Sequence, residues 1–139
     1  MISIIEANYQ QYQQQILAIR EQVFIVEQGV PPELEVDEQD PLAQHVLLFI
    51  EQAPIATGRL TAAGHIGRVA VLKPYRHQSY GRQIILKLEH LAVTVGLTHV
   101  ELGAQCQALR FYQGLGYHAV GEVFMDAGIE HLKMTKLLV

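Results

Sequence analysis

The sequence is poor in cysteine, in basic charge and in long apolar runs. Its single cysteine, Cys106, excludes an internal disulfide and a zinc site made of several thiolates. Ten Lys and Arg residues against fourteen Asp and Glu residues leave a net charge of −4, which argues against a nucleic-acid partner. No apolar run approaches the roughly 20 residues that cross a bilayer, and the first residues lack the features of a signal peptide. We therefore expect a cytoplasmic protein that has neither a membrane nor a nucleic acid as partner.

The composition is that of one folded domain. Half of the 139 residues are apolar, which is enough for a real core. No linker, repeat or low-complexity segment divides the chain, so residues 1–139 are interpreted as a single domain. Seven histidines occur, but none has the spacing of metal ligands on adjacent helical turns, and we expect no metal.

Apolar periodicity predicts alternating strands and helices in the order β-α-β-β-β-α-β-α-β-β. This order predicts an α/β fold with a mixed sheet, antiparallel at its start and parallel in the middle, with helices on both faces. The strand at 98–102 follows a helical crossover and should run parallel to the strand that ends at Leu72. The predicted elements are strands at 3–7, 46–51, 55–62, up to 72, 98–102, 117–124 and 130–138, and helices ending near Gln28, Gly96 and Gly116.

Acidic residues are concentrated between the first helix and the second strand. Five of them fall within eight positions, at Glu33, Glu35, Asp37, Glu38 and Asp40. They could attract a cationic amine, but a solvated loop is the favoured interpretation. Arg59, in the hairpin that follows, could face either a cleft or the solvent.

Residues 66–89 have the pattern of an anion site. A β-branched strand, Val69, Ala70 and Val71, is followed by a basic turn and an apolar-periodic helix. The free N–H groups and partial positive charge of a helix N-terminus hold phosphate, and Gly81 allows a ligand to approach the backbone. Four of the ten Lys and Arg residues fall within fifteen positions here, and no acidic residue lies between them. These four are Lys73, Arg76, Arg82 and Lys87. We therefore expect a phosphate-bearing cofactor at the turn, which comprises Arg76, His77, Gln78, Ser79, Tyr80, Gly81 and Arg82.

The motifs resemble those of the GNAT superfamily of acyl-CoA-dependent N-acyltransferases, and within it the small bacterial ElaA-like branch. That superfamily's cofactor loop has Gln or Arg, two variable residues, Gly, one variable residue, then Gly or Ala. Arg76, Ser79 and Gly81 stand at those places. Residues 108–117 resemble the family's motif of Ala, a spacer, Phe-Tyr, a spacer and Leu-Gly-Tyr. Segments 20–28, 102–105 and 121–131 are similar to the ElaA-like branch.

The resemblance implies a GNAT-like fold with splayed central strands and acetyl-CoA as cosubstrate. The acetyl group would pass to the primary amine of a small molecule by direct attack in a ternary complex. Backbone N–H groups of the strand at 69–71 would hold the thioester carbonyl. Tyr112 would protonate the departing thiolate as general acid, and Glu27 is the candidate base. Terminal strands in this family often meet across an interface, so a homodimer is one expectation.

Each of these assignments has a simpler alternative. Spacing alone places Tyr112 on the apolar stripe of a buried helix, and Glu27 is equally interpreted as a solvated carboxylate at a helix end. His45 and His131 are second-rank cleft candidates by resemblance, although a structural role is more common for histidines at strand ends.

Two other functions remain open at this point. Ser79 in place of the family's glycine, together with the unassigned base, leaves room for a non-catalytic acyl-CoA-binding module. A phosphate-binding α/β domain for another nucleotide is the second alternative.

Overall fold

Seven strands and four α-helices alternate in the computed structural model, which describes residues 1–138. A π-helix, Glu21–Glu27, continues the first helix, and 3-10 turns at Lys73–Tyr75 and Cys106–Ala108 precede the last two. The predicted order is confirmed, with one short helix, α2, in addition. The elements are β1 Ile2–Ala7, α1 Tyr9–Arg20, α2 Pro32–Glu35, β2 Gln44–Ile50, β3 Ala53–Leu60, β4 Ile66–Val71, α3 Tyr80–Thr94, β5 His99–Gln105, α4 Leu109–Gly114, β6 His118–Asp126 and β7 Ile129–Leu137.

The strands form two antiparallel sheets that meet at one point. The first sheet has the order β1-β2-β3-β4 and the second has the order β5-β7-β6. Within residues 1–138 they are joined by one parallel bridge, between His65 and Glu101, where the Glu101 N–H also donates to the Gly64 carbonyl at 3.0 Å. The predicted parallel pairing is therefore limited to the first residues of the pair. Beyond the bridge β4 and β5 diverge, as expected for splayed central strands.

The first helix begins at a cap and changes its winding halfway. The Asn8 side chain accepts a hydrogen bond from the Gln11 N–H at 3.0 Å, which satisfies one of the free donors of the first turn. The sequence predicted one helix up to Gln28, whereas the structure has α-helix to Arg20 and π-helix from there to Glu27. Single-turn π segments are rare and frequently occur at functional sites.

Helices cover both faces of the first sheet, as predicted. Successive residues of β2 alternate between the two sides, so that Leu47 packs towards α1 whereas Val46 and Leu48 pack towards α3. Each fully buried aliphatic side chain contributes about 1.5–3 kcal/mol relative to an exposed one. The buried core residues on the α1 side are Ala7, Ile16, Ile19, Val23, Leu47 and Ala70, and those contributed by α3 are Ile84, Ile85, Leu88, Leu91 and Ala92.

Gly58 of β3 sets how closely α3 approaches the sheet. A Cβ atom at this position would lie 2.6 Å from Ile84 Cγ2 and 2.8 Å from Leu88 Cδ1. Both distances are below van der Waals contact, so a larger residue would push α3 outwards. Because the basic turn leads directly into α3, the position of that turn relative to β4 depends on Gly58.

We predict that Gly58→Ala lowers the free energy of unfolding by about 1–3 kcal/mol, because the added methyl group overpacks the contact with α3. Urea unfolding followed by far-UV circular dichroism measures the effect. Gly114→Ala is the matched control, since a Cβ there meets nothing within 4 Å. It should be neutral or slightly stabilising. Equal effects of the two substitutions would contradict the prediction.

Candidate active site

A cleft of about 300 Å³ opens where β4 and β5 diverge. It brings Val69 of the predicted carbonyl-binding strand and Tyr112, the predicted acid, to one cavity. The π-helix and the segment after it also contribute walls, with Phe24 and Gln28. The lining further includes Val30, Leu34, Glu35, His65, Ile66, Gly67, Arg68, Leu102, Gly103, Gln105, Ala108, Asp126, Ala127, Ile129 and His131.

The edge of β4 turns backbone groups towards the cleft. The Leu72 N–H donates to the Ile55 carbonyl at 2.9 Å, so this pair bonds across to β3. Bonding direction alternates along an antiparallel strand, so the N–H and C=O of Val71 point away from β3. The Val71 carbonyl accepts a hydrogen bond from Arg76 Nε at 2.9 Å, which agrees with that direction. The Val71 N–H is therefore available to a ligand that approaches this edge, whereas the Val71 carbonyl is bound by Arg76.

A β-bulge interrupts β4 just before this edge. Thr57 faces Ala70 and Arg59 faces Gly67, so Gly58 alone faces both Arg68 and Val69. Arg68 has a φ of 51°, in the left-handed region, which costs a non-glycine residue about 1–2 kcal/mol. The bulge was not predicted, because a run of β-branched residues predicts a strand and carries no signal for an inserted residue.

The backbone of the basic turn has, at Ser79, the left-handed conformation that glycine adopts readily. Ser79 precedes the first residue of α3 with φ 70° and ψ 12°, and His77 has a φ of 64°. The serine side chain makes no capping hydrogen bond. Ser79 therefore presents the left-handed geometry at some cost in energy, rather than altering it. His77, Gln78, Ser79 and Arg82 are exposed, so a ligand in solution can reach the turn.

Glu27 and Arg76 form a bidentate ion pair. Arg76 Nη1 donates to Glu27 Oε2 at 2.9 Å, and Nη2 donates to Oε1 at 2.8 Å. The structure thus joins the candidate base to a residue predicted to bind phosphate. Both side chains are about a quarter to a third exposed. In this state the Arg76 guanidinium binds a carboxylate.

Tyr112 lies in an aromatic group beside the cleft. Its ring contacts Phe111 and Tyr117 edge to face, with centroids 5.0 and 5.9 Å apart. Burial raises the pKa of Tyr112 to about 12, so the phenol stays protonated throughout the physiological range. Its hydroxyl makes no hydrogen bond to another residue of the described chain, and it is free to donate to a ligand.

A polar trio behind Tyr112, with Tyr117 and Glu89 buried and Lys136 half-buried, was missed by the sequence analysis. The Tyr117 hydroxyl donates to Glu89 Oε2 at 2.8 Å, and Lys136 Nζ donates to Glu89 Oε1 at 2.9 Å. Burial and the neighbouring Glu89 carboxylate raise the pKa of Tyr117. The trio connects α3 to β7 and fixes the ring against which Tyr112 packs. Glu89 on the apolar face of α3 is the signal that could have indicated it, because a carboxylate there needs a partner.

The interpretation of the acidic segment, residues 33–40, as a solvated loop is wrong for three of its five acids. Glu35 and Asp40 are buried and Asp37 is half-buried, whereas Glu33 and Glu38 are exposed as expected. The three carboxylates are paired with three arginines that reach them from α1, β3 and β4. We call this set the arginine–carboxylate cluster; it consists of Arg20, Arg59, Arg68, Glu35, Asp37 and Asp40.

Arg20 and Arg59 are the interior members of the cluster. Arg20 is fully buried, binds Glu35 through Nε and donates from Nη1 to Asp40 Oδ1 at 2.8 Å. Arg59 Nη1 donates to Asp37 Oδ1 at 2.7 Å and to Asp40 Oδ1 at 2.9 Å. Arg59 therefore faces neither the cleft nor the solvent. Its role was unpredictable because the partner carboxylates come from a distant part of the chain.

The structure separates the two histidine candidates. His45 is buried away from the cleft lining, stacks on Tyr9 and donates from Nε2 to the Asp40 carbonyl at 2.8 Å. Burial lowers the pKa of His45, which keeps the ring neutral. His131 lines the cleft, where its Nδ1 donates to the Ile129 carbonyl at 2.7 Å and its ring stacks on Phe124.

Among residues 1–138 no group of three or more His, Cys, Asp or Glu side chains is arranged to hold a metal ion. In the same part of the chain, no helix combines the length and apolar character needed to cross a membrane.

Comparison with known proteins identifies relatives over most of the chain. A family model described as "Acetyltransferase (GNAT) domain" matches residues 6–138. The chain is 38% identical over 122 residues to the uncharacterized N-acetyltransferase YjcF of Bacillus subtilis, covering 85% of this chain and 87% of the relative. It is 31% identical over 129 residues to protein ElaA of Escherichia coli, covering 87% and 84%.

Solved structures agree with the sequence matches. The crystal structure of Escherichia coli ElaA has a TM-score of 0.86 at 28% identity, over 98% of this chain and 99% of that one. An acyl-CoA N-acyltransferase from Pseudomonas aeruginosa has a TM-score of 0.87 at 28% identity, with the same coverage. The resemblance to the ElaA-like branch and the predicted fold class are confirmed.

We predict that the ionised Asp40 carboxylate stabilises the fold and that protonation at low pH removes this stabilisation. Hydrogen bonds from Arg20 and Arg59 outweigh burial and lower the pKa of Asp40 from 3.8 to about 2. The unfolded chain binds the proton first as pH falls, so about 2 kcal/mol present above pH 4 is lost between about pH 4 and pH 2. Urea unfolding should show that Asp40→Asn loses about 2 kcal/mol less unfolding free energy than the wild type between about pH 4 and pH 2. Glu38→Gln, an exposed site in the same segment, is the control and should keep the wild-type loss.

We predict that Ser79→Gly raises the free energy of unfolding by about 0.5–1 kcal/mol, because glycine adopts the left-handed geometry without strain. Thermal unfolding measures the change. The φ of neighbouring Gln78 is not positive, so Gln78→Gly should destabilise by a similar amount. Destabilisation by both glycines would show that the turn is not strained at Ser79.

Proposed function

The chain belongs to the GNAT acetyltransferase family, and we propose that it transfers the acetyl group of acetyl-CoA to the primary amine of a small molecule. The observation that carries this proposal is that Val69 of the β4 edge and the protonated Tyr112 line one cleft. The basic turn lies beside them, since a Cβ atom at Gly81 would be 3.7 Å from both the Val71 and the Phe111 side chains. Its N-acetyltransferase relatives make the protein an enzyme of the acyltransferase class, which argues against the non-catalytic binder. The cleft volume of about 300 Å³ suits a small molecule.

The residues around the turn fit the chemical character of coenzyme A. The outward N–H of Val71 and that of Val69 on the same edge offer donors to an extended amide-containing arm. The turn offers helix N-terminal N–H groups, with Arg76 and Arg82 beside them, to a pyrophosphate. The other residues of the proposed site are Ala70 of β4 and, in the turn, His77, Gln78, Ser79, Tyr80 and Gly81. Acetyl-CoA supplies the activated thioester; the protein supplies orientation and charge stabilisation.

In the proposed reaction the acceptor amine attacks the thioester carbonyl directly in a ternary complex. The nitrogen–carbon bond forms, the carbon–sulfur bond breaks and the amine nitrogen loses one proton. Backbone donors at Val69 and Val71 stabilise the negative charge that develops on the carbonyl oxygen. Tyr112 donates to the departing sulfur. A thiol titrates near 8.5, well below the pKa of this phenol, so donation of a hydrogen bond contributes more than complete proton transfer.

Glu27 stays the candidate base under one condition. Both of its oxygens bind Arg76 in the structure, so an amine must compete with that guanidinium. Glu27 can therefore act as a base only when Arg76 releases its carboxylate and binds a phosphate group of the cofactor instead.

The proposal also covers the cellular location and the oligomeric state of the enzyme. We place it in the cytoplasm, in keeping with its single, unpaired Cys106. A homodimer would use β6, the edge strand of the second sheet, whose nine residues are all exposed.

We predict that the wild-type protein releases thiol from acetyl-CoA in the presence of a suitable amine, and that Tyr112→Phe lowers kcat about 10- to 100-fold. This range corresponds to loss of a hydrogen bond to a charged group. The KM for acetyl-CoA should stay within about threefold, since the phosphate contacts remain. A thiol-release assay over an amine panel, with binding measured by calorimetry, provides both values.

Tyr12→Phe is the matched control, because it makes the same chemical change on the α1 side of the sheet. It should retain wild-type kcat. Acetyl-CoA binding without thiol release over the whole panel would refute catalysis, and equal activity of wild type and Tyr112→Phe would refute the role of the phenol.

A further inference from the structure

We propose that Arg68 is a positioning residue for acetyl transfer, whose side chain ties the β4 bulge to the acidic segment and so holds the backbone donors of Val69 and Val71 in place. The inference rests on the proposed function of this cleft. It gives the acidic segment a part in the reaction that neither its charge nor its exposure indicates.

The backbone at Arg68 needs an external restraint. Its φ of 51° puts an arginine where the bulge geometry favours glycine. Such conformations persist when the surrounding structure over-determines them. Here Gly58 is the one residue opposite the bulge and has no side chain, so β3 itself gives the bulge little side-chain support.

The Arg68 side chain supplies that restraint through several hydrogen bonds. Nε donates to the Glu35 carbonyl at 3.0 Å, and Nη2 donates to Asp37 Oδ2 at 3.2 Å and to the Leu34 carbonyl at 3.4 Å. The Arg68 side chain is about a quarter exposed, and the bonds to Glu35 and Asp37 are partly shielded from water. A planar guanidinium bonded to several acceptors limits the positions that its Cα can take.

The other end of this tether is itself immobile. Arg20 donates from Nη2 to the same Glu35 carbonyl at 2.9 Å, and its Nε binds the Glu35 carboxylate. Arg20 is fully buried and Glu35 is 3% exposed. The bulge is therefore fastened, through Glu35, to the core side of α1.

Loss of the tether would change where the donors point. The bulge places Arg68 on the side of α2, while the Val69 side chain lies beside Gly58 on the side of α3. The direction of side chains and of backbone hydrogen bonds alternates along a strand. If the extra residue of the bulge were accommodated elsewhere in β4, the N–H groups of Val69 and Val71 would turn away from the cleft. Displacement of preorganised donors by even about 1 Å costs on the order of 100-fold in rate.

Arg68→Ala tests the proposal, because it removes the tether and leaves the backbone strain in place. We expect the protein to stay folded at the assay temperature. We also expect kcat to fall about 30- to 300-fold, with the KM for acetyl-CoA within about threefold because the turn is intact. Arg68→Lys keeps one cationic donor for Asp37 and should restore kcat to within about tenfold of wild type.

Glu51→Ala is the matched control, since Glu51 also has a positive φ, 56°, but lies in the β2–β3 turn remote from the cleft. It should leave kcat unchanged. A wild-type kcat in folded Arg68→Ala, or an equal loss in Glu51→Ala, would overturn the proposal.

A second measurement is independent of turnover. In the free protein, the backbone amide resonance of Val71 should shift in Arg68→Ala, while that of Ala56 on β3 should stay near its wild-type position. An unmoved Val71 amide would overturn the positioning role even if the protein proved inactive with every amine. Conversely, a moved Val71 amide in an enzyme without acetyl transfer would refute the proposed function and leave the tether standing.

Discussion

The arginine–carboxylate cluster is the constraint on which the cleft depends. Its arginines come from α1, β3 and β4, and its carboxylates come from one short acidic segment. Neither half could be buried alone, because an unpaired charge removed from water costs several kcal/mol. The segment is therefore held where its three carboxylates meet these arginines. That position places Leu34 and Glu35 on the wall of the cleft.

Opposite this wall, the cleft is a product of strand divergence. Paired strands use their backbone N–H and C=O groups in hydrogen bonds to each other. The edge of β4 that faces β5 has no such pairing beyond the His65–Glu101 bridge in the described residues. The basic turn, the open edge and Tyr112 follow each other around this opening. The apolar contact at Gly58 and the polar trio at Glu89 keep α3 and α4 close enough for the three to meet.

Patterns carried in neighbouring residues were predictable, and those that need distant partners were not. Helix and strand periodicity predicted the element order, and the turn around Ser79 was found from its charge and glycine pattern. The burial of Arg20 and Arg59, the bulge at Arg68 and the Glu27–Arg76 pair all arise between segments 15 or more residues apart, or from one inserted residue. A single sequence has no period or motif that encodes such pairings. For the same reason the sequence predicts a solvated loop for the acidic segment, whose partners lie on distant strands and on α1.

Among residues 1–138, the His65–Glu101 bridge is the one backbone pairing between the two sheets, and this has a mechanical consequence. Each sheet is internally cross-linked by its own antiparallel ladders. Away from the bridge, the sheets are held together by side-chain packing, because one core contains Val46 and Leu48 of the first sheet and Val100 and Met134 of the second. Apolar packing is not directional, whereas a ladder of hydrogen bonds fixes the spacing of two strands. The width of the groove is therefore set by the volume of the side chains between the sheets, and the girth of the acceptor that fits depends on residues that never touch it.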